Sequence, residues 1–257
     1  MEIHRPKAAH SWREFGIEIA TIICGILIAL ALEQAIEAYH WSHEVAETRK
    51  RLSVELGALM GQAEFRSRES ACVERRLDAL AAIVDEAAAR GRLPAVAEPS
   101  YPSLFIWASG VWQSTISAQT VSHLKFAEMR GYSDAYKFIG VVDESNRAEG
   151  RVWTTLYGLA GPGRRFDAAD AATYRQAISE ARYLDSYIGG MGVRAHQMLD
   201  IYGIGFEARM YHKVLRRRIE DQPICKPIGG APPSHYGAAP FRNFIANARA
   251  HPMQPQL

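Results

Sequence analysis

The sequence predicts an all-α protein in which one N-terminal transmembrane helix continues into a long stalk helix packed in a helical bundle. Three observations predict it. Residues 15–32 form an apolar run in which Glu18 is the only charge. From residue 33 to about residue 90 there is no proline, and apolar residues recur at steps of three, four and seven, the period of a helix face. Beyond that, strand-like alternation is almost absent. The composition, 48% hydrophobic and 23% charged, belongs to a folded domain and excludes a disordered chain. A formal charge of +2 supplies no field to recruit nucleic acid or acidic substrates. Three cysteines without a Cys-x-x-Cys pair exclude a disulfide-dense scaffold and give no sign of a zinc ribbon or thioredoxin-type site.

The span comes first in the chain. A bilayer crossing needs about 20 mostly apolar residues, so this run is short but sufficient. Ser11, Trp12, Arg13 and Glu14 form a Ser-x-x-Glu capping box that starts a helix just before it. Trp12 on one side, and Tyr39 and Trp41 on the other, are placed as interfacial anchors. From residue 12 to residue 41 a helix rises about 43 Å, the thickness of a bilayer with its headgroups. Thr21, Gly25 and Ala29 recur every four residues, a small-xxx-small stripe on which a second helix could approach; small residues are also simply common in spans. Glu18, one turn from Glu14, is read as reaching the interface.

Orientation follows from the flanks. Arg5, Lys7 and Arg13 precede the run, whereas the next basic residue after it is Arg49, with Glu33, Glu37, Glu44 and Glu47 between. The basic side stays in the cytoplasm, which sends the bulk of the chain outward, into the periplasm of a two-membrane bacterium. Two other readings compete: a buried core helix of a soluble protein, and a cleaved signal peptide ending near Ala29-Leu30-Ala31. Against cleavage, helical character continues unbroken through Glu33, Gln34, Ala35 and Ile36. No lipobox is present, since Cys24 follows Ile23 rather than a small residue.

The stretch Arg13-Glu14-Phe15 to Gly25-Ile26-Leu27-Ile28-Ala29-Leu30, followed by Glu33-Gln34, resembles the opening of a group of uncharacterised bacterial single-pass membrane proteins with a helical extracytoplasmic part. The resemblance covers roughly the first 60 residues; beyond them it is loose spacing, such as Cys72 before Arg75-Arg76-Leu77, Trp112, and Tyr136 ahead of a long helix. It implies topology and helical content, and carries over no catalytic residue.

The stalk seam reads Ala38, Trp41, Val45, Leu52, Leu56, Leu59 and Ala63, then Leu77, Leu80 and Val84, with a break expected near Gly57, Gly61 or residues 67–70. Gly91, Pro94, Pro99 and Pro102 make a stop and a loop. Four helical stretches come after it, at about 105–130, 134–160, 168–188 and 192–221. Gly161-Pro162-Gly163 separates the second from the third, and Asp167 caps the third. The expected division is a cytoplasmic tail (1–13), a transmembrane helix (14–35), a stalk helix or helices (36–90), a loop (91–104), a helical bundle (105–222) and an irregular tail (223–257). Cys72 and Cys225 are the only cysteines beyond the span, and in an oxidising compartment a disulfide between them would tie the tail to the stalk.

Chemistry-bearing constellations are sparse. His40, His43, Glu44 and Glu47, at i, i+3, i+4 and i+7, are the best metal candidates, although the second histidine of His-Glu-x-x-His is missing and a solvated polar face explains them equally. His196 and Asp200, with Glu207 further on, are the acid-base candidates, against a core histidine bonded to a carboxylate or plain surface groups. Gly203 to Ala208 spells Gly-x-Gly-x-x-Ala, but no strand precedes it. Arg216 to Arg218 and Arg164-Arg165 read as helix-end and solvated charge. No cofactor and no nucleic acid partner is expected.

The expectation from these residues is a non-enzymatic inner-membrane protein whose periplasmic bundle binds a partner or supports a membrane assembly. Its partners would be the lipid bilayer, a second copy through the transmembrane and stalk helices, and a membrane or periplasmic protein. A ligand-sensing module with a pocket of Trp107, Trp112, Trp153 and Tyr136 is the alternative, those aromatics being core otherwise. A membrane-anchored enzyme using His196, Asp200 and Glu207 ranks third.

Overall fold

Helix α1 runs unbroken from Trp12 to Arg90, 79 residues, or about 120 Å. The computed structural model describes residues 12–229; Arg5, Lys7, the Ser11 cap and residues 230–257 of the expected tail lie outside the described residues. Between Trp12 and Tyr39 the helix is exposed throughout, and its apolar stretch is long enough to cross a membrane. From Val45 onward its seam is buried: Val45, Leu52, Leu56, Leu59, Leu77, Leu80 and Val84 all lie in the core, as the periodicity predicts.

The expected break in the stalk does not occur. Gly57 and Gly61 are groove positions: a Cβ added to Gly57 would collide with the Glu207 carbonyl oxygen, and one added to Gly61 would lie 2.8 Å from that of Tyr211. Their lack of a side chain admits helix α5 (Ala208–Leu215) against α1. Between Ala63 and Leu77 the seam continues with Phe65, Arg66, Glu69, Cys72, Val73 and Arg76, all buried. The apolar gap in the sequence is therefore a polar stretch of one continuous seam.

At the top of α1, Gly91 adopts a left-handed conformation (φ 61°) and turns the chain into β1 (Arg92–Leu93), which pairs antiparallel with β2 (Arg164–Arg165). The chain then descends in extended form to Ser109. The helix expected over 105–130 is thus replaced by this descent, the short α2 (Gly110–Ser117) and a 3-10 turn, Thr120–His123. The extended course is fixed by backbone groups held by side chains of other helices: Ser103 N–H donates to Glu69 Oε2 (2.9 Å), and the Phe105 carbonyl accepts from Asn146 Nδ2 (3.2 Å). Helix α2 begins where Val111 N–H donates to the Glu55 carboxylate (2.9 Å), an N-terminal satisfaction supplied from α1.

Helix α3 (Phe126–Tyr157) rises alongside α1, since Glu128 meets Arg49 and Glu149 meets Arg66. Helix α4 (Ala168–Ile201) descends: Arg175 pairs with Asp85 and Asp185 with Arg66. Asp167 caps α4 as expected, accepting from Asp170 N–H at 2.9 Å. In place of the two helices expected at 168–188 and 192–221, α4 is continuous through Gly189, Gly190 and Gly192. A Cβ at Gly192 would sit 2.9 Å from that of Ala63, so this glycine serves a close α1–α4 crossing. The real stop is at Gly203 (φ 64°), after which Ile204 N–H donates back to the Leu199 carbonyl (2.8 Å).

After α5 the chain climbs beside α1 to a 3-10 turn, Pro223–Cys225, where Cys225 is disulfide-bonded to Cys72 across a separation of 153 residues. Arg76 donates to the carbonyls of Pro223, Ile224 and Lys226, and Ile224 is buried. The segment from residue 223 begins as a docked strap rather than as irregular chain.

Candidate functional site

The core divides along the bundle axis. A lower cluster packs Val45 to Met60 of α1 against Trp107, Trp112, Tyr132, Tyr136, Ile139 and the lower half of α4. An upper cluster packs Cys72 to Ala87 against Trp153, Leu156, Phe166 and the first half of α4. Between them lies a layer of buried charge contributed by three helices and the descending segment, and it is the densest polar constellation among the described residues.

Arg66 sits at its centre. Its Nη2 donates to both carboxylate oxygens of Glu149 (2.9 and 3.0 Å) and to Asp185 Oδ1 (2.9 Å), while Nη1 donates to Glu69 Oε2 (3.1 Å). The other carboxylate oxygens are also occupied: Glu69 Oε1 accepts from the Ser103 hydroxyl (2.9 Å) and Asp185 Oδ2 from the Ser70 hydroxyl. The charged side chains are 0–2% exposed.

One guanidinium faces three carboxylates, so the layer carries an excess of negative charge that favours uptake of a proton. Burial raises the Glu149 carboxyl to about 7, its neighbours Asp185 and Glu69 adding to the rise against the pull of Arg66. Burial also opposes the charge on Arg66, but the carboxylates outweigh it and hold the guanidinium's pKa above its ordinary value. Glu149 is the group that takes the proton near neutral pH. The bonds of Nη1 and Nη2 tie α1, α3, α4 and the descending segment in one register, while Arg66 Nε, also buried, has no hydrogen-bond partner among the described residues.

Sequence reasoning misses this layer. Its trace is Arg66-x-x-Glu69, charges standing at the helix-phase positions where Ala63 and Leu77 predict burial. Nothing local points to Glu149 or Asp185, which reach it from more than 80 residues away.

The other candidates are distributed differently. Among the described residues no group of three His, Cys, Asp or Glu side chains is arranged to hold a metal, and Glu44 of the set His40, His43, Glu44 and Glu47 pairs with Arg51 (2.8 Å). His196, Asp200 and Glu207 do not converge. His196 lies beside Phe206 (5.6 Å between ring centres) and lines a groove of about 260 Å³ between α1, α4 and α5, which neither Asp200 nor Glu207 reaches. Glu207 caps α5, accepting weakly from Arg209 N–H (3.4 Å). The four aromatics are not brought together: Trp153 belongs to the upper cluster, while Trp107, Trp112 and Tyr136 belong to the lower. Trp112 stacks on Tyr136 (5.4 Å), whose hydroxyl donates to Glu55 Oε1 (2.6 Å); burial, with that carboxylate, pushes its phenol well above the ordinary value.

At the lower end, Trp12 and Tyr39 are exposed. Trp41 instead stacks on His123 at 3.8 Å and donates to Glu37 Oε1 (3.3 Å). Thr21, Gly25 and Ala29 are exposed, nothing lies within 4 Å of a Cβ built on Gly25, and the Thr21 hydroxyl donates to the Ile17 carbonyl (2.8 Å). No protein-family model, curated protein sequence or solved structure shows significant similarity to the chain.

Proposed function

We propose that the protein is a single-pass, membrane-anchored helical module without enzymatic activity, placed in a bacterial inner membrane with its N-terminus in the cytoplasm. Its periplasmic bundle binds a protein partner or supports a membrane assembly. The observation that carries this reading is the division of α1. Its first third is apolar and exposed, and the remainder is the central element of a packed core. An exposed apolar surface of that length has no favourable place in water, and at about 30 Å of hydrocarbon the bilayer matches it.

Three further observations support it. Basic residues precede the span and acidic ones come after it. The Cys72–Cys225 bond suits an oxidising compartment. The carboxylates best placed for proton chemistry are spent on holding helices together. The resemblance of the first 60 residues to bacterial single-pass proteins points the same way. A second copy, packed through the open face of Thr21, Gly25 and Ala29, is the partner that needs least of the rest of the protein. The groove that includes His196 favours the ligand-sensing alternative, in which a small molecule would bind between α4 and α5.

The test is extraction of membranes followed by native mass measurement of the full chain in mild detergent. The protein is expected to stay with membranes after alkaline carbonate washing and to run as a complex, either with itself or with a co-purifying protein. Release by carbonate, or a lone monomer, contradicts the proposal.

A further inference from the structure

The geometry points to a second contact with the bilayer, made by the corner between the Thr120–His123 turn and the first turn of α3, in which Phe126 enters the outer headgroup layer beside Trp41. This rests on the membrane-spanning reading of α1 and adds to it an orientation of the bundle. Three features on one end of the molecule converge on it.

The first is height. Trp41 lies about 43 Å along α1 from Trp12, which sets it at the outer edge of a bilayer that begins at Trp12. His123 stacks on Trp41 at 3.8 Å, so the turn is fixed at that level. The second is exposure just past the turn. Lys125 and Phe126 both face solvent, Phe126 to 71%, although it stands on a rigid helix start and is large enough to be core elsewhere. Helical side chains lean toward the N-terminus of their helix. Because α3 rises away from the membrane end, Phe126 leans back toward the span. The third is rigidity. Arg49 holds Glu128 through two bonds (3.0 and 2.7 Å), and the Glu128 carboxylate also accepts from Lys125 N–H (3.3 Å). The bond to Arg49 draws the Glu128 carboxyl below its ordinary range, so this clamp stays ionised.

The chemistry suits a phospholipid surface. An aromatic ring next to Lys125 places an apolar group below and a cation at the level of phosphates. The cleft between span and bundle, about 510 Å³ and walled by Glu37, Ala38, Trp41, Val45 and Arg49 with His123, lies at the same height and shares His123 with the corner. A bundle touching lipid at both Trp41 and Phe126 cannot swing freely about α1.

The experiment uses the full chain in vesicles of mixed zwitterionic and anionic phospholipid, with a spin label attached through Phe126→Cys in a Cys24→Ser background. Collision with oxygen, which concentrates in lipid, is compared with collision with a water-soluble nickel chelate. Labels through Leu27→Cys in the span and Tyr183→Cys on the outer face of α4 are the references. The oxygen-to-chelate ratio at residue 126 is expected to exceed that at residue 183 several-fold. A ratio at 126 equal to that at 183, with residue 27 reporting lipid, overturns this contact while the span stands. An aqueous signal at residue 27 overturns the span itself. Shielding of residue 126 from both reagents would mean a protein neighbour and also overturns it. Phe126→Tyr, which keeps an interfacial ring, is expected to keep vesicle-bound proteolytic protection of the 120–126 turn, and Phe126→Asp to lose it.

Discussion

Removing the cation from the charged layer is the sharpest perturbation of the bundle. In Arg66→Met the three carboxylates of Glu69, Glu149 and Asp185 keep their burial and lose their shared partner. Breaking a buried ionic group by taking away one side costs about 3–5 kcal/mol, because the charge left behind is neither solvated nor paired. Glu149→Gln acts oppositely. It keeps the volume, removes the charge that burial disfavours, and is expected to cost about 1 kcal/mol or less at neutral pH. The pair of variants also separates the proton linkage. Glu149 ordinarily titrates at 4.5 and here at about 7, so the folded state binds its proton more tightly than the unfolded state does. Its contribution is fully present below pH 4.5 and is lost as pH rises to about 7, a fall of about 3 kcal/mol if nothing offsets it. Urea unfolding of the full chain in mild detergent, monitored by tryptophan fluorescence across that pH range, reads both effects. The difference between parent and Glu149→Gln isolates this group from the other carboxylates. An Arg66→Met variant within 1 kcal/mol of the parent, or a Glu149→Gln variant with the parent's pH slope, would refute the reasoning (thresholds of about one hydrogen bond).

Three further outcomes are expected from the packing. Cys225→Ser is expected to lower stability by up to about 5 kcal/mol, the chain-entropy value for a loop of this size, and reductant should reproduce the loss; alkylation of Cys72 and Cys225 in the unreduced parent would show that the bond is absent. Gly57→Ala should drive α5 off α1, since the new methyl would collide with the Glu207 carbonyl, with a cost of about 1–3 kcal/mol and faster proteolysis between residues 203 and 216; unchanged proteolysis would remove the close approach. Glu55→Ala strips a partner from both Val111 N–H and the Tyr136 hydroxyl and is expected to cost about 1–3 kcal/mol, measured by the same unfolding, whereas Glu55→Gln should recover most of it.

How much of the fold is legible in the sequence depends on whether a signal is local. The long apolar stretch at the start of α1, the seam from Val45 to Val84 and the Asp167 cap are written in residues a few positions apart, and local pattern recovers them. Glycine is the misleading residue. Gly57 and Gly61 read as helix breakers, yet each is kept inside a helix because the backbone of another segment approaches where a Cβ would be. The extended course at residue 105 reads as the start of a helix because the side chain that holds its carbonyl, Asn146, comes from elsewhere in the chain. The charged layer escapes sequence reading for the same reason. A buried arginine is conspicuous only once its acceptors are known, and two of those stand on other helices. The acid-base set illustrates the converse. His196 and Asp200 are neighbours by helical spacing, but proximity along a helix does not turn both toward one cavity.

The central claim is that α1 crosses a bilayer with residues 45–229 on the far side from the N-terminus. Paired fusions at the C-terminus of the full chain test this directly, one to a reporter that works only in the cytosol and one to a reporter that works only after export. A spanning α1 in this orientation predicts a silent cytosolic reporter and an active exported one. A bright cytosolic reporter with a silent exported one would contradict it.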